Sequence, residues 1–218
     1  MLLYGRRNSV NVIPVLWCLE EIGVKYERRV VGGSFGGLDD DEFRALNPNG
    51  RIPVLEDDGF VLWESNAIVR YLADNYGKAL RPRNHHDRAR NDQWMEWYKT
   101  TLHPTFVALF RQFIRVEPAA RDAGQIRALE QGCAELLRTP NDWLMRYPFL
   151  GGDRFGMGDI PLGAAVGRLF ALPVLKPSLE GVERWCAALR SRQAYQATVM
   201  RPFGLTPAEH LALERADP

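Results

Sequence analysis

The chain has 218 residues, 46% of them hydrophobic, and balances 28 Lys+Arg against 27 Asp+Glu. That apolar content is enough for one large domain or two small ones and counts against disorder. The near-zero net charge gives no broad attraction to nucleic acid or to an anionic membrane.

The opening MLLYGRRNSV turns charged before a signal-peptide apolar core can form, and no apolar run approaches the roughly 18 residues of a membrane span. A cytoplasmic location is expected. Leu2-Leu3-Tyr4 reads as a short strand, and the polar loop Gly5-Arg6-Arg7-Asn8 delivers Ser9 and Asn11 ahead of an amphipathic helix over 12–22. Ser9 or Asn11 is expected to cap that helix, with Pro14 in its first turn and Gly23 ending it. Cys18 lies among the helix's apolar residues and reads as core. With Cys133 and Cys186 it forms no CxxC, which suits a reducing compartment rather than a disulfide framework or a zinc site.

Residues 26–31 read as a second strand, parallel to the first, giving a βαβ unit. Gly32 to Gly37 is glycine-rich but lacks both GxGxxG and a GK[ST] ending, so it is expected to be a mobile loop and not a phosphate cradle. A short helix is expected over 39–46. Ile52-Pro53 then opens an apolar run that Asp57-Asp58-Gly59 reverses into Val61-Leu62-Trp63, the pattern of a hairpin. Glu64-Ser65-Asn66 follows directly, and Ala67, Ile68, Tyr71, Leu72 and Tyr76 recur at helical spacing up to Gly77, placed for a left-handed cap. An acid and a hydroxyl therefore stand at a helix start.

KALRPRNHH, residues 78–86, has no apolar period and reads as a linker. The expected fold is a mixed α/β domain, β-α-β-α-β-β-α, over 1–78, a linker over 79–86 and an all-helical bundle over 87–218. The first long helix of that bundle carries Trp94, Trp97, Tyr98 and Leu102, with a break or kink at Pro104 before Phe106, Leu109, Phe110 and Phe113. A helix over 122–137 is expected to break at Thr139-Pro140-Asn141-Asp142. Residues 160–170 read as a buried helix, with Asp159 three residues after Gly156 as half of a capping box. Helices over 179–189 and 207–215 complete the chain. His85 and His86 are adjacent while His103 and His210 stand alone, so no metal-ligand spacing is present and no metal is expected.

NPNGRIPVLEDDG joined to LWESNAIVRYL, followed by DRFGMGDIPLG in the helical part, resembles the cytosolic glutathione transferases over nearly the whole chain. The nearest likeness is to the bacterial theta-, delta- and nu-like branches, which place a serine or an asparagine against the thiol. The resemblance implies a thioredoxin-like first domain and glutathione as the substrate it holds. It implies that Pro53 is cis and that Ile52 offers its main-chain N–H and C=O to the cysteinyl part of the tripeptide. Glu64 and Ser65 would hold the γ-glutamyl ammonium and carboxylate, the latter at a helix N-terminus. Arg51 stands where the family has a base for the glycyl carboxylate.

Catalysis needs the thiol ionised near neutral pH from a free pKa of about 8.5, a drop of about two units or roughly 2.7 kcal/mol. A hydrogen bond to a charged acceptor contributes about 1.5–3 kcal/mol, so the Ser9 hydroxyl is sufficient, with the Asn11 amide as second candidate and Tyr4 third. The resemblance also implies an electrophile cleft between the domains, for which Arg7, Trp97, Thr101, His103 and Phe106 are candidates, and a homodimer. The leading expectation is transfer of glutathione to an apolar electrophile. A glutathione-dependent disulfide reductase or peroxidase, and a non-catalytic glutathione-binding or assembly module, are the alternatives.

Overall fold

The structure is a computed structural model describing residues 1–217. Strand β1 (Leu2–Tyr4) buries Leu3 on one side of the sheet and Tyr4 on the other, the alternation a strand imposes. It runs parallel to β2 (Glu27–Arg29) and antiparallel to β3 (Val54–Asp57), which pairs with β4 (Phe60–Trp63), giving the order β2-β1-β3-β4. The parallel pair needs a crossover, and α1 (Ile13–Ile22) supplies it. β2 is shorter than the expected 26–31 because it is an edge strand pairing only with the three residues of β1. The hairpin turn has Asp58 at φ 50° and Gly59 at φ 80°, the paired positive values that match strand twist in a two-residue loop.

Helix α1 and α3 (Ser65–Asn75) cover the Leu3 and Leu55 face of the sheet, and α2 (Asp41–Leu46) lays Phe43 against Tyr4 on the other. Two expectations about helix ends are corrected. Neither Ser9 nor Asn11 caps α1 with its side chain; the Ser9 main-chain carbonyl accepts from Val12 and Ile13 N–H at 2.9 and 3.0 Å, so the helix start uses neither side chain. Gly77 is not left-handed, since α3 ends through Tyr76. A glycine is needed there for space, because a Cβ would stand 2.9 Å from the Ile22 side chain and 3.1 Å from Ala73 Cα.

Helix α4 (His85–Trp97) starts inside the segment read as a linker, where Asn84 Oδ1 accepts from Asp87 N–H at 2.9 Å, and Leu80 is buried before it. No break follows at Pro104. Instead a π turn, Tyr98–Leu102, leads without interruption into α5 (His103–Ile114), with His103 N–H reaching back five residues to Tyr98 C=O. A proline ring clashes with the carbonyl four residues earlier, and widening the turn relieves that clash while the chain stays helical. α6 (Ala123–Leu136) and α7 (Arg138–Leu144) meet at Leu137, so Pro140 falls in a first turn, where a missing N–H costs little. Asn141 then accepts from Gly181 N–H at 3.0 Å, at the start of α9 (Glu180–Arg190).

The buried helix is α8 (Asp159–Phe170), which packs on α1, α4, α5 and α9. Gly163 lets it approach α1 closely, since a Cβ there would lie 3.0 Å from the Trp17 ring. Trp17 also meets Tyr195 of α10 (Gln193–Thr198), a short helix with no clear periodic signal in the sequence, at 4.8 Å between ring centroids. One hydrophobic core therefore runs from the sheet through the helices. The last helix, α11 (Pro207–Ala216), starts on a Thr206 side-chain cap.

Candidate active site

The loop between β1 and α1 carries three polar side chains with different fates. Asn8 is buried and its carbonyl accepts from Arg168 Nη2 at 3.3 Å. Ser9 is 7% exposed, and its hydroxyl has no hydrogen-bond partner among the described residues. Asn11 is half-buried with Oδ1 3.1 Å from His103 Nε2 at the start of α5. Burial, together with the Lys99 and Arg111 cations, pushes His103 down to about 4, so its ring is neutral at neutral pH. Tyr4 is removed as a thiol contact. It packs against Phe43 beneath the sheet, its hydroxyl donates to Glu56 at 3.2 Å, and burial and Glu56 raise its pKa.

The Ile52–Pro53 peptide is cis, with Pro53 buried and Ile52 half-buried. What holds this bend is Asn47, a residue the sequence reading passed over. It is 2% exposed, donates through Nδ2 to Arg51 C=O at 2.8 Å and accepts from Asn49 N–H at 3.0 Å. Arg51 itself extends into solvent with no partner for its guanidinium among the described residues.

Glu64 stands at the N-terminus of α3 with φ 71°, a value side chains rarely adopt, and makes no cap. Ser65 begins the helix, 5% exposed. The first-turn N–H groups have no partner inside a helix and point outward, so this corner presents donors and a carboxylate together. Lys99 of the π turn reaches the Glu64 carboxylate at 3.7 Å. Nothing in the sequence singles out Lys99, because its position depends on the π turn, where the spacing predicts only a break or kink at Pro104. Chemically, the surface offers an acid and helix donors at one end and the Ser9 hydroxyl and Asn11 NH2 at the other, the needs of a zwitterionic peptide with a thiol.

The sequence matches the family model described as glutathione S-transferase, N-terminal domain, over residues 1–74. It is 38% identical to glutathione S-transferase GstB of Escherichia coli K12 over 203 residues, spanning 92% of this chain and 98% of that protein. The chain belongs to the glutathione S-transferase family. Within it, glutathione S-transferase 3 of Zea mays is 34% identical over 210 residues, 90% of this chain and 92% of that one. A crystal structure of the theta class glutathione S-transferase of Xanthomonas axonopodis pv. citri with glutathione bound superposes with a TM-score of 0.89 at 47% identity, covering 92% of this chain and 97% of that one.

As a glutathione S-transferase the chain has the thioredoxin-like sheet domain and the largely helical remainder expected of it. The five electrophile-pocket candidates fare unevenly. Trp97, edge-on to Trp94 at 5.7 Å, and Thr101 and His103 are half-buried on the α4–α5 helix, so one continuous element presents them. Arg7 pairs with Asp217 near the C-terminus at 3.1 Å. Phe106 is corrected: at 1% exposure it belongs to the core, packed against Phe110. A hollow of about 440 Å³ opens elsewhere, where Met1, Lys25 and Asp58 meet, and contains none of these residues. All three cysteines are buried, with burial pushing Cys133 to about 11 and Cys186 to about 12, so no protein thiolate is at hand. Among the described residues no cluster of three or more His, Cys, Asp or Glu is placed to hold a metal, and no helix is long and apolar enough to cross a membrane.

Proposed function

We propose that this glutathione transferase lowers the pKa of the glutathione thiol at Ser9 or Asn11 and presents the thiolate to an apolar electrophile held beside the α4–α5 helix. The observation that carries this is a pair of available donors: the first helix is closed by the main chain and Asn11 Oδ1 faces His103, leaving the Ser9 hydroxyl and the Asn11 NH2 free to donate. In this reading Ile52 and Pro53 hold the cysteinyl backbone, Glu64 takes the γ-glutamyl ammonium, Ser65 takes its carboxylate and Arg51 takes the glycyl carboxylate. Binding of the ammonium replaces Lys99 at Glu64, an exchange of one cation for another at a half-exposed site that costs little. One hydrogen bond to the sulfur, worth about 1.5–3 kcal/mol, covers the roughly two-unit drop the thiol needs.

Trp97, Thr101 and His103 form the electrophile wall, with Arg7 at its edge. The glutathione-binding part spans 1–78, and the electrophile-binding part begins with α4 at His85. Exposed aromatic residues at Phe60, Trp63 and Tyr76 favour a homodimer through the hairpin, and a cytoplasmic site fits the reduced cysteines.

The test is a chromogenic conjugation assay on Ser9→Ala and Asn11→Ala. Loss of a single donor to the developing charge lowers kcat about 10²-fold, and the variant that loses it names the thiolate contact. Unchanged turnover in both variants removes this loop from the mechanism.

A further inference from the structure

An asparagine amide has two ends, and only its NH2 can donate to a thiolate. Nothing on Asn11 itself decides which end faces the sulfur. The decision lies with the side chain bonded to it, His103 Nε2, 3.1 Å from Asn11 Oδ1. That histidine is the first residue after the π turn and sits edge-on to Tyr98 at 5.5 Å. The same turn puts Lys99 against Glu64, so one irregular turn touches both ends of the glutathione surface.

We propose that His103 is a positioning residue: its Nε2–H donates to Asn11 Oδ1 and thereby turns the Asn11 NH2 toward the glutathione sulfur. The inference rests on the functional reading above and chooses between its two thiol contacts. Electrostatics keeps the arrangement in place. The charged groups bearing on His103 are Lys99 and Arg111, both cations, and with burial they disfavour the imidazolium. A neutral ring has one N–H, and the hydrogen bond to a carbonyl fixes it on Nε2. The amide then keeps one orientation through the working pH range. The π turn supplies the reach, and such turns recur where a helix must carry function.

The experiment measures the thiolate of bound glutathione by its ultraviolet absorbance against pH in the full-length wild type, Asn11→Ala, His103→Phe, His103→Gln and the Asn11→Ala/His103→Phe double variant. Thermal unfolding confirms that each is folded. Phenylalanine keeps the ring and removes the donor; glutamine restores a donor. The expected result is a bound-thiol pKa about two units higher in Asn11→Ala and in His103→Phe, a roughly hundredfold loss of thiolate. The double variant should be no worse than either, His103→Gln should recover most of the effect, and KM for glutathione should hardly move while kcat falls. A thiol pKa shifted by Asn11→Ala but not by His103→Phe overturns the positioning role while leaving the functional reading intact. So do additive effects in the double variant. A pKa insensitive to Asn11→Ala overturns the inference and assigns the sulfur to Ser9. No thiolate signal in the wild type overturns both.

Discussion

Glu64 is the residue at which backbone and chemistry conflict most plainly. Its φ of 71° is one of two positive values on non-glycine residues among the described residues, and the other, Asp58, is in a turn that demands it. Holding a side chain there costs of the order of 1–3 kcal/mol, and the cost is tolerated where surrounding structure fixes the residue for a task. Here the task is to aim a carboxylate beside the first turn of α3. Glu64→Gly removes the strain and loses little else, since the Lys99 pair is half-exposed and glycine adds only about 0.5–1 kcal/mol of unfolded-state entropy. The variant should be as stable as the wild type or about 1 kcal/mol more so, with KM for glutathione raised about tenfold, equivalent to about 1.4 kcal/mol. Glu64→Ala, which retains a Cβ, should show the same KM without the gain in stability. Chemical denaturation and steady-state kinetics on both variants check this, and a clear destabilisation in Glu64→Gly would sink the strain account.

At the scale of elements, Asp159 and the π turn show two kinds of device. Asp159 is fully buried and accepts from Leu150 N–H and Trp185 Nε1 at 2.8 Å and from Gly156 N–H at 3.0 Å, tying the turn before α8 to α9. Burial raises its pKa from 3.8 to about 6 despite those donors. With the folded pKa above the unfolded one, the native state holds the proton longer. Its contribution to stability therefore falls as pH rises from about 4 to about 6, by about 3 kcal/mol across those two units. Asp159→Asn cannot titrate and should lack that slope; denaturant midpoints measured across the window compare the two, and parallel profiles refute it. The π turn is a one-residue surplus. Deleting Thr100, which is exposed and bonds only Glu96 C=O and its neighbour Thr101, should restore an α turn and leave the core partners in place. Thermal stability should hold within about 1 kcal/mol while turnover falls about tenfold, as Lys99 and His103 leave Glu64 and Asn11.

These elements also mark how far the sequence is legible. The Asp57-Asp58-Gly59 turn, the βαβ order, the buried α8 and the half capping box at Asp159 follow from local spacing, and each is present. The π turn is invisible to periodicity, because Pro104 signals trouble without saying whether the chain breaks or widens. With it went the contacts of Lys99 and His103. Asn47 was hidden for another reason. Its work is three hydrogen bonds, two with Asn49 and one with Arg51, that any turn asparagine resembles until burial reveals it.

At the scale of the whole molecule, the C-terminal helix is latched to the loops that begin the chain. Glu214 of α11 is 2% exposed and pairs with Arg6, two residues before Asn8 in the β1–α1 loop. It also accepts from Ser34 Oγ at 3.2 Å, in the loop after β2. His210, one turn earlier, lies 3.7 Å from the same carboxylate and donates through Nδ1 to Phe203 C=O at 2.6 Å. Burial lowers the pKa of both Arg6 and His210, disfavouring the charged form of each. Breaking one side of such a pair strands a buried charge. Glu214→Met should cost about 3–5 kcal/mol, because Arg6 keeps its charge and loses its acceptor. Replacing both partners, as Arg6→Met/Glu214→Met, should recover most of that loss, since packed methionines need no counter-charge. Stability and activity then separate. The recovered double variant should still conjugate glutathione more slowly than the wild type, because the cross-chain latch that fixes the loop carrying Ser9 and Asn11 is gone even though the core is full. Urea unfolding and kcat measured on the single and double variants test both halves. A double variant as fast as the wild type would reduce the latch to a stability element, and one no more stable than Glu214→Met would show that the cost lies in packing and not in the stranded charge.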